Sequence, residues 1–343
     1  FQLVTSGGKT IIFSELARLS QLKGSNVLIL SSRTEILTQN GGALEGRGLN
    51  VTYITPKYKD VPSKKGIALA MSQTLKRRID KQEWIDYIKS LDLVIIDEAH
   101  EQVSNFIFDI ISDNCYVLGV TASPVRYGGQ RQLGLDYNNI VSVVKTQDLI
   151  NMGYVSQAKH YTLSAPKVDN VDIDYNNGDY NQKALAKHFE KKVIYKGIVD
   201  NYMRITPHKK AIAFCVSSKQ TIELTKAFCE AGIKAKYLLS ADNEDDDILS
   251  DDRKKLISDF AKGDFEVLVN CGCLVAGFDD PLIEVCILGF STISLTKYLQ
   301  CVGRAARKKG NKNTFYILDF GGCVTRHGLF EQNRTWSLWH NTS

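Results

Sequence analysis

The chain has 343 residues, of which 43% are hydrophobic and 24% are charged, a composition typical of a folded protein with about two domains. It contains no apolar run long enough to span a bilayer and no recognisable signal peptide, so we expect neither a membrane partner nor secretion. The net charge of +5 permits a polyanionic partner but does not require one.

Eight cysteines are spread along the chain, without a C-x-x-C pair and without a histidine cluster at zinc-binding spacing. This pattern favours reduced core thiols over disulfides or a zinc site. We therefore expect a cytoplasmic protein. The lack of an obvious accessory domain suggests a bacterial cell or a phage-infected host as its setting.

The first motif, Thr5-Ser6-Gly7-Gly8-Lys9-Thr10, has the composition of a phosphate-binding loop. Gly-Lys-Thr supplies a tight turn, an ammonium group for phosphate and a hydroxyl for Mg²⁺. We predict a helix directly after it, because Ile12, Leu16 and Leu19 fall on one helical face. The unpaired amides at the start of that helix would point at the phosphates. The usual pattern has a glycine where this chain has Leu3, so the motif is weak when taken alone.

The loop begins very close to Phe1, which leaves little room for the strand that should precede it. We therefore expect residues N-terminal to Phe1 in the full protein. Any upstream segment that contacts adenine would lie among them.

A second motif follows a run typical of a buried strand. Leu93-Val94-Ile95-Ile96 leads into Asp97 and Glu98 and, after one alanine, His100. Ligands gather where parallel strands end. An aspartate there can hold Mg²⁺, and a neighbouring glutamate can polarise an attacking water. Together with the upstream loop, this motif predicts nucleotide hydrolysis.

Apolar runs alternate with amphipathic stretches in both halves of the chain, which predicts parallel sheets with crossover helices. The predicted strands are 27–30, 67–70, 93–96 and 116–120 in the first half, and 211–216, 234–239, 267–269, 285–288 and 314–318 in the second. The polar stretch 166–178 is the best linker candidate. The acidic run 242–252 is typical of a solvated surface.

Together, these motifs resemble those of the superfamily 2 helicases and translocases. Eight segments follow that family's motif order: 5–10 (motif I), 31–33 (Ia), 71–75 (Ib), 97–100 (II), 121–124 (III), 214–218 (IV), 267–281 (V) and 300–307 (VI). The strongest are Asp-Glu-Ala-His in motif II and Gln-x-x-Gly-Arg-x-x-Arg in motif VI. The ordered set covers nearly the whole chain.

Further segments resemble the subgroup of type III restriction-enzyme motors and RadD-like DNA helicases, namely 148–155, 268–279, 319–322 and 327–328. Two departures stand out. Ser6-Gly7 replaces the family's usual Gly-Ser, and Cys271 and Cys273 replace the common Thr-Asp of motif V.

The resemblance implies an α/β fold with two tandem RecA-like domains, each a parallel sheet flanked by helices, with ATP in the cleft between the two lobes. We assign residues 1–165 to the first domain, 166–180 to a linker and 181–343 to the second domain.

The resemblance also implies roles for individual residues. Lys9 would contact the β- and γ-phosphates, Thr10 and Asp97 would hold Mg²⁺, and Glu98 would orient or deprotonate the water. Arg304 and Arg307 would act as arginine fingers, although Arg304 could instead form a salt bridge within the second domain. The remaining expected ATP contacts are Thr5, Ser6, Gly7, Gly8, Gly277, Asp279 and Gln300. His100 is expected either to link hydrolysis to motif III or VI or to be structural.

Nucleic acid is expected to be held by its backbone, so that a motor can run on any sequence. By resemblance, the contacts would come from Arg33, Ser72, Gln73 and Thr74 in the first domain and from Ser217, Ser218 and Asn270 in the second. We predict a monomeric, ATP-dependent helicase acting on single-stranded or branched duplex DNA. An RNA helicase, a duplex translocase without strand separation and a scaffold without ATPase activity remain alternatives. A small-molecule kinase is disfavoured, because it would not need the second lobe.

Overall fold

The computed structural model describes residues 1–63, 65–127, 130–175, 178–239, 250–272 and 280–339. Its contacts divide the chain into two compact units. Unit 1 comprises Phe1–Arg126, Gln130–Val144 and the described residues from Thr335 onward. Unit 2 comprises Tyr127 and Lys145–Arg334.

Unit 1 is built on a five-stranded parallel sheet. Its strands are β1 (Val27–Ser31), β2 (Val51–Ile54), β3 (Ile67–Met71), β4 (Leu93–Asp97) and β5 (Tyr116–Val120). They lie in the order β2-β3-β1-β4-β5. The flanking helices are α1 (Lys9–Leu22), α2 (Thr34–Glu45), α3 (Ser72–Lys76) and α4 (Gln82–Lys89), with 3₁₀ helices at Gln102–Asp109 and Leu133–Leu135. Every residue of β1 and β4 is buried, because core clusters cover both faces of the sheet.

Unit 2 contains a six-stranded parallel sheet and a small antiparallel pair. Its strands are β6 (Gln157–Thr162), β7 (Ile173–Asp174), β8 (Asp179–Tyr180), β9 (Ala211–Cys215), β10 (Ala235–Leu238), β11 (Val267–Asn270), β12 (Val285–Gly289) and β13 (Thr314–Asp319). The large sheet has the order β10-β11-β9-β12-β13-β6, and β7 pairs with β8. Its helices are α5 (Thr146–Asn151), α6 (Gln182–Phe189), α7 (Lys192–Ile205), α8 (Ser218–Glu230), α9 (Ser250–Lys262), α10 (Leu295–Gly303) and α11 (Cys323–His327).

The nine strands expected from apolar runs are all present, and the prediction of two parallel α/β domains is confirmed. Strands β2 and β6 were not predicted. Both lie at sheet edges, where one side of the strand is open and the sequence need not be continuously apolar.

The predicted domain boundaries differ from the observed units. Strand β6 pairs along its whole length with β13, so residues 145–165 belong to unit 2 rather than to the first domain. The expected linker 166–180 contains β7 and β8, which are part of unit 2.

The last described residues also depart from the predicted division, because they pack on unit 1. The amide of Gly134 donates to Leu338 O at 3.0 Å, and a side chain at Gly134 would overlap the Trp339 indole. Residues 335–339 therefore form a terminal segment of unit 1 that follows unit 2 in the chain.

The helix predicted after the phosphate-binding loop is confirmed as α1, but its expected face is wrong. Ile12, Leu16 and Leu19 are exposed, whereas Phe13 and Ala17 are buried against the sheet. Positions four apart form one face of a helix, and the pair with the large aromatic ring is the one that fills the core. Among the described residues, no helix is long and apolar enough to cross a bilayer.

Candidate active site

The loop before α1 has the backbone of an anion-binding turn. Gly8 caps the helix with a left-handed φ of 89°, and Ser6 has a positive φ of 71°. The Gly7 amide donates to Val4 O at 2.9 Å, which tightens the turn. Backbone of this kind directs successive N–H groups into one concavity, where the start of the helix adds a favourable dipole.

Leu3, which replaces the usual glycine, belongs to the segment leading into this loop. Its amide donates to Thr121 O at 3.1 Å, next to a parallel bridge between Gln2 and Thr121. The side chain of Leu3 is buried in the core. The position therefore lies in a strand-like segment beside β5, where no glycine conformation is required.

Lys9 and Thr10 are the first two residues of α1, and both are half-buried. The Lys9 ammonium donates to Leu3 O at 3.4 Å. Lys9 also lies close enough to Asp97 to lower the pKa of that carboxyl group. The structure thus brings motif I and motif II together at one edge of the sheet of unit 1.

Asp97 ends β4, and its carboxylate is buried. Its Oδ1 accepts from the Glu98 amide at 3.0 Å, and its Oδ2 accepts from Asn40 Nδ2 at 2.9 Å. Burial raises the pKa of Asp97 to about 6; Glu98 also raises it, while Asn40 and Lys9 lower it. Neutralising a buried carboxylate is favourable, so this group is suited to a cationic ligand.

Asn40 was not predicted from the sequence. It is buried on α2 between the core residues Leu37 and Leu44, and it also donates to Ser31 Oγ at 3.2 Å. A polar side chain that interrupts an apolar helical stripe is the signal that could have identified it.

Glu98 has a left-handed backbone, with a φ of 51°. Its side chain is 13% exposed, and Oε2 lies 3.3 Å from His100 Nδ1. Among the described residues, Oε2 has no hydrogen-bond partner. An acceptor held in this way can bind a water molecule.

His100 is part of a network with motif III. Its Nδ1 lies 2.9 Å from Thr121 Oγ1, whose hydroxyl donates to Ser123 O at 3.1 Å. The tautomer with a hydrogen on Nδ1 can therefore donate to Thr121. Of the two links expected for His100, the structure places the one with motif III within unit 1.

These side chains fit a magnesium-bound nucleotide. Mg²⁺ prefers oxygen ligands and is bound through one or two carboxylates together with phosphates. The buried Asp97 carboxylate, the hydroxyl residue Thr10 and the unbonded Oε2 of Glu98 supply suitable chemistry beside a phosphate-binding loop.

Motif VI lies on and just after α10 in unit 2. Gln300 and Arg304 are buried, 8% and 6% exposed respectively, and Arg307 is half-buried. Burial lowers the pKa of Arg307 to about 10. Residues 304–307 run beside Val155 and Ser156, whose amide donates to Ala306 O at 2.8 Å. Gly277 and Asp279 lie outside the described residues.

A buried lysine joins the segments that follow motifs V and VI. Lys312 Nζ donates to Ala305 O at 2.7 Å and to Pro281 O at 3.1 Å. Burial lowers the pKa of Lys312 to about 8. The sequence suggested only a basic surface here, whereas the structure shows an internal brace.

The loop that leads into α10 is also braced. Asp179 accepts from Thr292 Oγ1 at 2.7 Å and from the Ile293 amide at 2.9 Å. His327 Nε2 lies 2.9 Å from Thr292 O and stacks on Tyr298 of α10. The 319–328 segment, which carried part of the subgroup resemblance, thus holds motif VI in place.

The expected nucleic-acid contacts of unit 1 divide into two sets. Arg33 and Gln73 are exposed and Thr74 is half-buried, so they remain candidates. The prediction for the Ser72 side chain is wrong. Ser72 is fully buried, and its hydroxyl is used by Ser31 O and Ser104 Oγ.

The expected contacts of unit 2 change in a similar way. Asn270 is fully buried and donates to Ala213 O at 2.9 Å, so its predicted contact with nucleic acid is wrong. Ser217 Oγ caps α8 by accepting from the Gln220 amide and donates to Glu190 Oε1, which occupies its hydroxyl. Ser218, the first residue of α8, is half-buried and stays a candidate.

Comparison with protein families agrees with this geometry. Residues 1–126 match the family described as "Type III restriction enzyme, res subunit", and residues 194–309 match the "Helicase conserved C-terminal domain". One match lies in each unit, in the chain order of a two-lobed motor. This chain belongs to the superfamily 2 helicases.

Superfamily 2 relatives come from diverse sources. A Saccharomyces cerevisiae protein named as an ATP-dependent helicase, IRC3, is 29% identical over 93% of this chain and 48% of its own length. A 51.5 kDa protein of a Lactococcus phage is 27% identical over 96% of this chain and 67% of its own length. The chain thus spans about half to two thirds of the length of these relatives.

Solved superfamily 2 structures share the fold. A fragment of an HsdR subunit of a Vibrio vulnificus type I restriction enzyme has a TM-score of 0.68 at 18% identity, covering 95% of this chain and 61% of that one. The type ISP restriction-modification enzyme LlaBIII, bound to DNA, scores 0.64 at 15% identity, covering 92% and 26%. S. cerevisiae Dbp5, bound to RNA and ADP BeF3, scores 0.59 at 16% identity, covering 95% and 82%.

Membership of superfamily 2 makes the chain an ATP-hydrolysing enzyme of the helicase class. At these identities the solved structures bear on the fold alone. One neighbour is bound to DNA and another to RNA.

Proposed function

We propose that this protein is a DNA helicase or translocase that couples Mg-ATP hydrolysis to movement on, or remodelling of, forked or branched DNA. Its setting would be repair, recombination or replication in the cytoplasm of a bacterial cell or a phage-infected host, where it would act as a monomer. The observation that carries the proposal is the meeting of Lys9, Asp97 and Glu98 at the edge of the sheet of unit 1.

In the proposed mechanism, unit 1 binds the nucleotide. The amides of the Ser6–Gly8 turn and the Lys9 ammonium bind the phosphates. Thr10 and Asp97 would hold Mg²⁺, which when bound neutralises phosphate charge. Glu98 orients the attacking water through Oε2, the atom without a hydrogen-bond partner among the described residues.

Unit 2 supplies the positive charge that hydrolysis needs. By resemblance, Arg307 stabilises the charge on the γ-phosphate, and such an arginine contributes about 10³–10⁵ in rate in related systems. Its lowered pKa of about 10 still leaves it protonated at neutral pH. Arg304 is more deeply buried, so we assign it to supporting this segment of unit 2.

Support for DNA as the substrate comes from unit 1, which matches the type III restriction-enzyme family. The exposed side chains of Arg33 and Gln73 suit contacts with a phosphate backbone, which carry no sequence information. An RNA helicase is the second candidate, because the RNA-bound Dbp5 shares the fold.

ATP hydrolysis should be measured with single-stranded, duplex, forked and four-way DNA and with RNA. We expect the strongest stimulation by forked or four-way DNA. Stimulation by RNA alone would select the second candidate. Stimulation by duplex DNA without strand displacement would select a translocase.

The role of the phosphate-binding loop can be tested with Lys9→Ala, which should abolish stimulated hydrolysis. Lys23→Ala is a matched control, because Lys23 is an exposed lysine at the other end of α1. Full activity of the Lys9 variant would contradict the assignment.

Arg307→Ala should retain ATP binding and lose turnover. The opposite pattern, with weakened binding and normal turnover of bound ATP, would show that Arg307 has no transition-state role.

A further inference from the structure

We propose that Arg126, paired with Asp136, is a positioning residue for Glu98 that holds the backbone of motif II in its active conformation. Neither residue belongs to the motifs singled out from the sequence. The inference rests on the catalytic role proposed for Glu98, and the experiment below separates the two.

The backbone after β4 needs outside support. Glu98 has a φ of 51°, a conformation that costs a non-glycine residue roughly 1–2 kcal/mol. The Glu101 amide closes the turn onto Glu98 O at 2.8 Å. A strained turn of this kind persists only where the surrounding structure fixes it.

Arg126 provides that support through two carbonyl groups. Its Nη2 donates to Ala99 O and its Nε donates to His100 O, each at 3.0 Å. These carbonyls belong to the two residues directly after Glu98. Because buried carbonyls are costly to leave without a donor, the contacts stabilise this one path of the chain.

Arg126 is itself fixed on every side. Nη2 also donates to Asn105 Oδ1 at 2.9 Å, and Nη1 donates to Asp136 Oδ2 at 2.8 Å and to Arg131 O at 3.0 Å. All five N–H groups of the guanidinium are therefore used. The side chain is only 2% exposed and that of Asp136 is fully buried, so the ion pair is shielded from water.

The platform beneath the pair is rigid as well. Asp136 Oδ1 lies 2.8 Å from Arg131 Nε. The next residue, Tyr137, packs against Phe108 with ring centroids 5.4 Å apart, and Phe108 belongs to the 3₁₀ helix after motif II. A side chain at Gly119 would overlap Tyr137, which shows how closely the ring approaches β5.

The consequence reaches the reacting groups through His100. Arg126 holds the carbonyl of His100, and the ring of His100 lies 3.3 Å from Glu98 Oε2. A shift of about 1 Å in a catalytic group can lower turnover about 100-fold. Loss of the brace should therefore reduce turnover more than nucleotide affinity, because the phosphate-binding loop does not depend on these contacts.

The test is Arg126→Lys. Lysine keeps a positive charge opposite Asp136 but cannot supply the planar fork that reaches Ala99 O and His100 O together. We expect kcat to fall about 10- to 100-fold while the dissociation constant of MgATP stays within about twofold of the wild-type value. Asn105→Ala is the matched control, since it removes another acceptor of the same guanidinium and spares both motif II carbonyls. It should keep kcat within about twofold.

Wild-type kcat in a folded Arg126→Lys variant would overturn the proposal. So would an equal loss of kcat in Arg126→Lys and Asn105→Ala, which would indicate general destabilisation. If Arg126→Lys does not fold, Asp136→Asn provides the test, because it keeps an acceptor for Nη1, and its kcat should fall while MgATP affinity is retained. Wild-type kcat in that variant would also overturn the proposal.

Glu98→Gln separates the two hypotheses. If it is inactive while Arg126→Lys is normal, only the positioning role fails. If Glu98→Gln is itself fully active, the role proposed for Glu98 fails, and the positioning role fails with it.

Discussion

The Nδ1 atom of His100 lies 2.9 Å from Thr121 Oγ1, which joins motif II to motif III inside unit 1. Thr121→Val removes this hydroxyl but keeps the shape of the side chain. A lost hydrogen bond to a buried group costs about 1–3 kcal/mol, so we expect kcat for stimulated ATP hydrolysis to fall about tenfold. Thr121→Ser keeps the oxygen and should remain near wild type. Equal activity of the two variants would exclude a role for the contact.

Asn40 should affect metal use without contacting the metal. It donates to Asp97 Oδ2, and such supporting contacts typically change metal affinity by about 10- to 100-fold. We expect Asn40→Ala to raise the Mg²⁺ concentration needed for half-maximal ATP hydrolysis by about tenfold. Ser31→Ala, which removes the other partner of the same amide, is the control and should shift the Mg²⁺ titration much less. An unchanged titration for Asn40→Ala would refute this prediction.

Gly321 should not tolerate a side chain. A Cβ atom there would overlap the carbonyl of Phe290, which lies in the loop before α10, and Ser291 Oγ donates to Gly321 O. We expect Gly321→Ala to lower the free energy of unfolding by at least about 2 kcal/mol and to reduce ATP turnover. Gly197→Ala on α7 is the matched control. Nothing lies within 4 Å of its Cβ, so it should be neutral or stabilising by up to about 1 kcal/mol. Urea denaturation of both variants measures the difference.

Buried thiols should make the folded protein sensitive to alkaline pH. Burial raises the pKa of Cys301 to about 12 and that of Cys115 to about 11, from 9.0. Above about pH 9 the unfolded chain loses thiol protons that the folded protein keeps, so the free energy of unfolding falls as pH rises through that range. Each thiol contributes at most about 1.4 kcal/mol per pH unit.

Urea denaturation in reducing buffer between about pH 7 and about pH 10 tests this dependence. Cys301→Ala should flatten the pH dependence, whereas Cys229→Ala should leave it unchanged, because Cys229 is exposed to water in the folded protein. Equal slopes for the Cys301 variant and wild type would contradict the assignment.

The sequence predicted the parts of this molecule that depend on local pattern. Continuous Val, Ile and Leu runs identified the central strands, because a strand buried on both faces cannot carry polar residues. Edge strand β6, with the sequence Gln-Ala-Lys-His-Tyr-Thr, has no such constraint, and missing it moved the predicted domain boundary.

The candidate site was predictable where a short motif carries the chemistry, as at Lys9 and Asp97. It was not predictable where function depends on contacts between distant positions. Asn40 is 57 residues from Asp97 in the chain, and Arg126 is 26 residues from His100. Ser72 and Asn270 fail for the converse reason, because a motif position does not reveal whether a side chain points inward.

The terminal segment of residues 335–339 bears on how the protein folds during synthesis. Domains generally fold as units in the order in which they leave the ribosome. Unit 1 cannot follow that order completely, because Leu338 and Trp339, which pack on Gly134, are made only after the whole of unit 2. Gly134 lies two residues from Asp136, the partner of Arg126. The nascent chain must therefore finish the surroundings of its motif II after its second sheet has been translated.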